Sequence, residues 1–264
     1  MSAALLELSG IGLSFAGNRV LQDVDFQVAQ NAIVSLIGPN GAGKTSLFNC
    51  ITGFYRPQKG RIVLAGRDMR ALRPHGVTEA GIARTFQNLR LFREMTVLEN
   101  VMAGMHCRSR AGAVTAILRT PSQRAEEREI STFSEECLRF VGLDSGLWYR
   151  DATTLSYGHQ RRLEIARALA TKPKLLLLDE PAAGLNASEK HELVALIRRI
   201  RDEASISVLL IEHDTGLVMQ VSERVSVLDH GTMIAEGTAS EIQTDPKVIE
   251  AYLGQEDGEV DLES

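Results

Sequence analysis

The sequence predicts an α/β fold: a parallel sheet core, a small antiparallel β-subdomain and an inserted helical subdomain. Three observations carry that expectation. Short apolar runs at residues 32–37 (AIVSLI), 175–178 (LLLL) and 207–211 (SVLLI) read as buried strands. Between the last two, Leu193, Leu196, Ile197 and Ile200 recur at helical spacing, which makes a strand–helix–strand unit and hence a parallel sheet with right-handed crossovers. Residues 5–28 and 61–67 instead alternate in short segments broken by glycine, as antiparallel strands do.

In chain order, the antiparallel segments come first and the strand at 32–37 follows. A glycine-rich turn then leads into Leu47, Cys50, Ile51 and Phe54, spaced i, i+3, i+4, i+7 on one helix face. Residues 88–155 contain no good strand and read as mostly helical; within them 108–129, rich in Arg, Ser, Ala and Glu, reads as a solvated helical insertion. An Arg/Leu/Ala-rich helix is expected from Arg161 to Ala170, and Asn186 or Ser188 is suited to N-cap the helix after 186. At about 150 residues per domain, the 264 residues make one large domain or two coupled lobes. The expected layout is a single domain over 1–264. Its core and β-subdomain occupy 1–87 and 156–254, the helical subdomain 88–155, and an acidic tail 255–264.

Composition excludes several classes. Apolar residues are 44% and charged ones 24%, an ordinary globular mixture. Net charge is −5, from 29 bases and 34 acids; the tail holds Glu256, Asp257, Glu259, Asp261 and Glu263, so the body is neutral and nothing global points to nucleic acid. Cys50, Cys107 and Cys137 lie far apart with no CxxC pair and read as small buried hydrophobes in a reducing compartment. The six histidines show no zinc spacing. The N-terminal residues lack the basic and apolar regions of a signal peptide, and no apolar run approaches the roughly 18 residues of a membrane helix.

Residues 38–45 (GPNGAGKT) satisfy GxxxxGK[ST], placed after a strand and at the start of a helix. Glycines let the backbone wrap phosphates, and N–H groups at the helix N-terminus face the negative charge. Lys44 is expected to reach the β- and γ-phosphates and Thr45 to offer its hydroxyl to Mg²⁺. Leu175–Leu178 end in Asp179 and Glu180; because side chains alternate along a strand, both carboxylates face one site only if the chain bends. One suits Mg²⁺ and the other a water.

Residues 155–160 (LSYGHQ), ahead of the Arg161–Ala170 helix, narrow this further. They resemble the LSGGQ signature of ABC-transporter ATPases, with Tyr157 for a glycine and His159 for the glutamine. Gln87 in RTFQNLRLF resembles the Q-loop glutamine, His213 in LLIEHD the switch histidine, and Asn186 in AAGLN stands at the D-loop aspartate position. Phe15 occupies the place of the aromatic that stacks on adenine. The strings ARTFQNLRLF, DEPAAGLN and AYLG further resemble the LivG-type subunits of branched-chain amino acid importers, in which the tyrosine and asparagine are usual and the histidine is not.

The resemblance implies a P-loop (RecA-like) core that binds ATP and Mg²⁺. Phe15, Asn40, Gly41, Gly43, Lys44, Thr45, Ser46, Gln87 and Asp179 would hold the nucleotide, with Thr45, Gln87 and Asp179 at the metal. Glu180 would activate water, with His213 at the γ-phosphate. Ser156 and Gly158 would serve a nucleotide bound to a second cassette. It implies integral-membrane permease subunits, a second ABC ATPase subunit (a related chain or a copy), an indirect periplasmic or extracellular solute-binding protein, no nucleic acid, and a peripheral place on the cytoplasmic face of the inner membrane. An amide or urea importer, a lipid or lipopolysaccharide exporter and a soluble ABC ATPase are the alternatives.

Overall fold

The computed structural model describes residues 4–105 and 121–256. Strands β1 (Ala4–Phe15) and β2 (Asn18–Ala29) form an antiparallel hairpin closed by Ala16 and Gly17, both left-handed (φ 47° and 88°), as a tight two-residue turn requires. β4 (Lys59–Leu64) pairs with the other edge of β1 and β5 (Arg67–Asp68) with β4, giving the order β2-β1-β4-β5. The second sheet contains β3 (Ile33–Ile37), β6 (Ile82–Arg84), β7 (Leu175–Asp179), β8 (Ser207–Ile211), β9 (Arg224–Asp229) and β10 (Thr232–Gly237). Its order is β10-β9-β3-β8-β7-β6, parallel throughout except for the β10/β9 pair.

Every residue of β3, β7 and β8 is buried, which explains why these strands read as continuous apolar runs. Alternation divides their side chains between two layers. Leu175, Leu177, Leu209 and Ile211 face helix α1 (Lys44–Ile51) and the β-subdomain, joining Leu47, Phe48, Leu6 and Leu8. Leu176, Leu178, Val208 and Leu210 join Leu193, Ile197 and Ile200 of α6 (Ala187–Asp202) and the helical region. That region contains α3 (Val97–Met105) and α4 (Pro121–Phe140), both packed on α5 (Tyr157–Ala170) through Val97, Val101, Leu138 and Leu163. Helix α2 (Pro74–Ala80) leads into β6. Helices α7 (Thr215–Val221), α8 (Ala239–Thr244) and α9 (Pro246–Glu256) complete the chain described.

Several sequence expectations need correction. The helix after the glycine-rich turn stops at Ile51: Gly53 (φ 75°) returns its N–H to Cys50 O at 3.2 Å, so Phe54 lies beyond the helix and is 52% exposed. Strands β6, β9 and β10 were not among those expected. The N-cap of α6 is Asn186 rather than Ser188, in a reciprocal capping box with Glu189. Cys50 and Cys137 are buried, and burial pushes both thiols up to about 12. Cys107, residues 108–120 of the expected insertion and 257–264 of the acidic tail lie outside the described residues; 121–129 are helical, and Gln255 and Glu256 end α9.

Candidate active site

The glycines at 38, 41 and 43 all take positive φ (148°, 76° and 105°), so the loop from β3 to α1 uses backbone conformations that side chains disfavour. Gly38 is the tightest: a Cβ there would sit 1.9 Å from Leu228 O. Gly43 caps α1. Lys44 is buried and donates from Nζ to Gly38 O (2.6 Å) and Pro39 O (2.8 Å). Burial holds its ammonium below the ordinary lysine range, while the carboxylates of Glu180 and Asp179 act in the opposite sense. Asn40, Gly41 and Thr45 are exposed at the mouth of the loop, and Ser46 is half-buried on the first turn of α1.

The chain bends directly after β7. Glu180 adopts φ 47°, a strained value for a glutamate, and its N–H donates to Ile211 O at 2.9 Å. Gln87 Nε2 donates to Glu180 Oε2 at 2.7 Å, and His213 Nε2 lies 2.9 Å from Oε1. Asp179 turns the other way, to Arg84 at 2.7 Å. Gln87, Glu180 and His213 therefore meet just beyond the ends of neighbouring strands, and the charges of Glu180 and Asp179 both act on Lys44. Phe15, exposed at the end of β1, meets the Tyr55 ring edge-to-face at 5.1 Å.

Ser156 and Gly158 stand apart. Ser156 caps α5, its Oγ accepting from His159 N at 3.4 Å. Gly158 packs so closely on α6 that a Cβ would lie 2.5 Å from Glu189 Oε1. Tyr157 rests against Gly184 and places its hydroxyl 3.3 Å from Arg161. The cavity of about 230 Å³ beside Ser156 and Gly158 is walled by His159, Arg162, Glu189 and Leu193 and by no residue of the phosphate loop.

Four arrangements escaped sequence reasoning. Arg161, 1% exposed, donates to Phe86 O (2.7 Å), Gln87 O (2.9 Å) and Glu164 Oε2 (2.9 Å), anchoring the backbone before Gln87 to α5. Glu164 is buried too; desolvation raises its carboxyl and Arg161 lowers it. Glu212 accepts from Ala182 N at 2.7 Å and His213 N at 3.1 Å, joining the loops that bear Asn186 and His213, and burial raises its carboxyl. Arg84 links Asp179 to Asn49. On α9, burial raises the Tyr252 hydroxyl and the Gly38 backbone lowers it, so the C-terminal helix meets the phosphate loop; the string AYLG was the signal for it.

A phosphate loop at a strand–helix junction, with one acid ending β7, two strands across the sheet, and a second directly after it, defines a nucleotide-binding protein of the P-loop class. The family profile described as ABC transporter matches residues 21–183, and that described as Branched-chain amino acid ATP-binding cassette transporter matches residues 232–258. The chain is 46% identical over 255 residues to the high-affinity branched-chain amino acid transport ATP-binding protein BraF of Pseudomonas aeruginosa, covering 97% of this chain and 100% of that one. It is 45% identical, with the same coverage, to LivG of Escherichia coli K12, which bears the same description. Among solved structures, the ADP conformation of MJ1267, an ATP-binding cassette of an ABC transporter, aligns with a TM-score of 0.84 and 32% identity over 96% of this chain and 100% of that one. The chain belongs to the ABC transporter family, as an ATP-binding subunit with ATP hydrolase activity.

Proposed function

We propose that this subunit powers uptake of branched-chain amino acids through separate permease subunits. The observation that carries this reading is the C-terminal match at residues 232–258, outside the nucleotide-binding motifs, together with 46% identity to BraF over nearly the whole chain. No helix among the described residues is long and apolar enough to cross a membrane. The proposed location is peripheral, on the cytoplasmic face of the inner membrane, with a solute-binding protein acting on the far side.

The donor set fits nucleotide and Mg²⁺: an ammonium, hydroxyls and a helix N-terminus for phosphate, and hard oxygens on Thr45 and Asp179 for the cation. Mg²⁺ would neutralise charge on the phosphate oxygens. Phe15 stacks on adenine, Asn40, Gly41, Gly43, Lys44, Thr45 and Ser46 hold phosphate, and Thr45, Gln87 and Asp179 hold the metal. Glu180 orients and deprotonates the attacking water, and His213 contacts the γ-phosphate. Ser156 and Gly158, separated from the phosphate loop of their own chain, serve the nucleotide of a second cassette packed head to tail. ATP then forms part of the interface, and hydrolysis removes the bridging phosphate.

A groove of about 460 Å³ beside the Q-loop, walled by Thr78, Arg84, Arg90, Phe92, Glu164 and Arg167, is the proposed seat of the permease. Phe92 is exposed there with Arg167 stacked at 5.3 Å, a surface suited to an amphipathic segment. Lys44→Ala is expected to weaken ATP binding by about 10–100-fold, the worth of charge-assisted phosphate contacts; unchanged affinity in a calorimetric titration contradicts that role. For the substrate, cells carrying Glu180→Gln should lose uptake of radiolabelled leucine, isoleucine and valine. Loss of amide or urea uptake in their place overturns the assignment.

A further inference from the structure

Arg84, at the end of β6, uses its guanidinium in two directions. Nη2 meets Asp179 Oδ2 at 2.7 Å, with the two side chains only 7% and 8% exposed. Nη1 donates to Asn49 Oδ1 at 2.7 Å. Asn49 lies on α1 one turn beyond Thr45, so the bridge reaches the helix that carries the Thr45 hydroxyl. Phe48 and Phe86 flank the guanidinium, their ring centroids 5.5 and 5.1 Å from Cζ, and leave the planar group little freedom.

We propose that Arg84 is a positioning residue for the divalent cation: by bridging Asn49 to Asp179, it sets the separation between the Thr45 hydroxyl and the Asp179 carboxylate. The inference rests on the reading of Thr45 and Asp179 as metal-holding residues. Arg84 occupies Oδ2 of the carboxylate that would hold the cation. Groups that orient metal ligands in this way contribute about 10–100-fold in affinity. A rigid two-armed fork suits the task, whereas a lysine, with one compact ammonium, cannot span both acceptors in the same plane.

Charge and geometry act in opposite senses here. A cation beside the site repels a divalent ion, so loss of the Arg84 charge alone would tighten metal binding. Arg84→Lys keeps that charge and removes the bridge, which isolates the geometric effect.

The experiment is Mn²⁺ binding to the ADP-loaded protein, followed by electron paramagnetic resonance. Metal-free ADP affinity in EDTA and thermal unfolding serve as companion measurements. Arg84→Lys should bind Mn²⁺ about tenfold more weakly, with ADP affinity in EDTA within about twofold of wild type. Asn49→Ala keeps the Arg84–Asp179 pair, should shift Mn²⁺ binding the same way by about threefold, and decides the matter if Arg84→Lys does not fold. Asp179→Asn is the reference. Wild-type Mn²⁺ affinity in the Arg84 and Asn49 variants, alongside weakened binding in Asp179→Asn, overturns the bridge alone. Wild-type affinity in Asp179→Asn overturns the metal reading and the bridge with it.

Discussion

Glu180→Gln is expected to bind ATP normally and to turn it over about 10²–10⁴-fold more slowly, the usual worth of a general base and roughly 3–5 kcal/mol of barrier. The amide keeps the size of the carboxylate and adds no bulk near Lys44. It loses the negative charge and with it the capacity to take a proton. Glu180 sits at a strained φ of 47° directly after β7, and Gln87 and His213 hold its two oxygens. Rapid-quench measurement of a single turnover, paired with a binding titration, separates chemistry from affinity. Near-normal hydrolysis would remove Glu180 from the role of base.

Arg161→Met is expected to destabilise the fold by about 3–5 kcal/mol, the cost of leaving one partner of a buried ion pair behind. Glu164 would keep only the Phe86 N–H, at 3.3 Å, of its two hydrogen-bond partners, and the carbonyls of Phe86 and Gln87 would lose their donor. Burial already raises the Glu164 carboxyl, and loss of Arg161 raises it further. A carboxyl raised in the folded state contributes its stability below the unfolded glutamate pKa and loses it as pH climbs through the folded value. The deficit of Arg161→Met should therefore shrink as pH falls toward the ordinary glutamate range. Adding Glu164→Leu should recover part of the stability, because the carboxylate left behind by Arg161 is removed, while the buried Arg167 loses the Glu164 charge that acts on it. Turnover should stay low, because the Arg161 bonds to the Phe86 and Gln87 carbonyls remain lost. Urea midpoints across pH, with ATPase rates on the same samples, check both parts; a single variant as stable as wild type contradicts them.

The contrast between these residues shows what a sequence can disclose. Strands β3, β7 and β8 were legible because burial on both faces writes an uninterrupted apolar run. The phosphate loop was legible because its glycines answer a backbone requirement, met at φ 148°, 76° and 105°. Strand β6 was not, since its three residues carry no period and its edges are defined by hydrogen bonds to β7. Phe54 kept helical spacing, yet Gly53 had already ended the helix. Arg84, Arg161, Glu164 and Glu212 were illegible for one reason: a charged residue reads as solvated until the partner that buries it is known. Those partners lie on other elements or, for the Arg161–Glu164 pair, beneath the backbone of residues 86 and 87.

The most direct test of the account is a pull-down of this subunit from gently solubilised native membranes, with mass spectrometry of what accompanies it. The account predicts polytopic permease subunits and a second cassette, with a solute-binding protein that binds branched-chain amino acids. A sample free of membrane proteins would contradict the importer assignment and leave an ATPase that acts elsewhere.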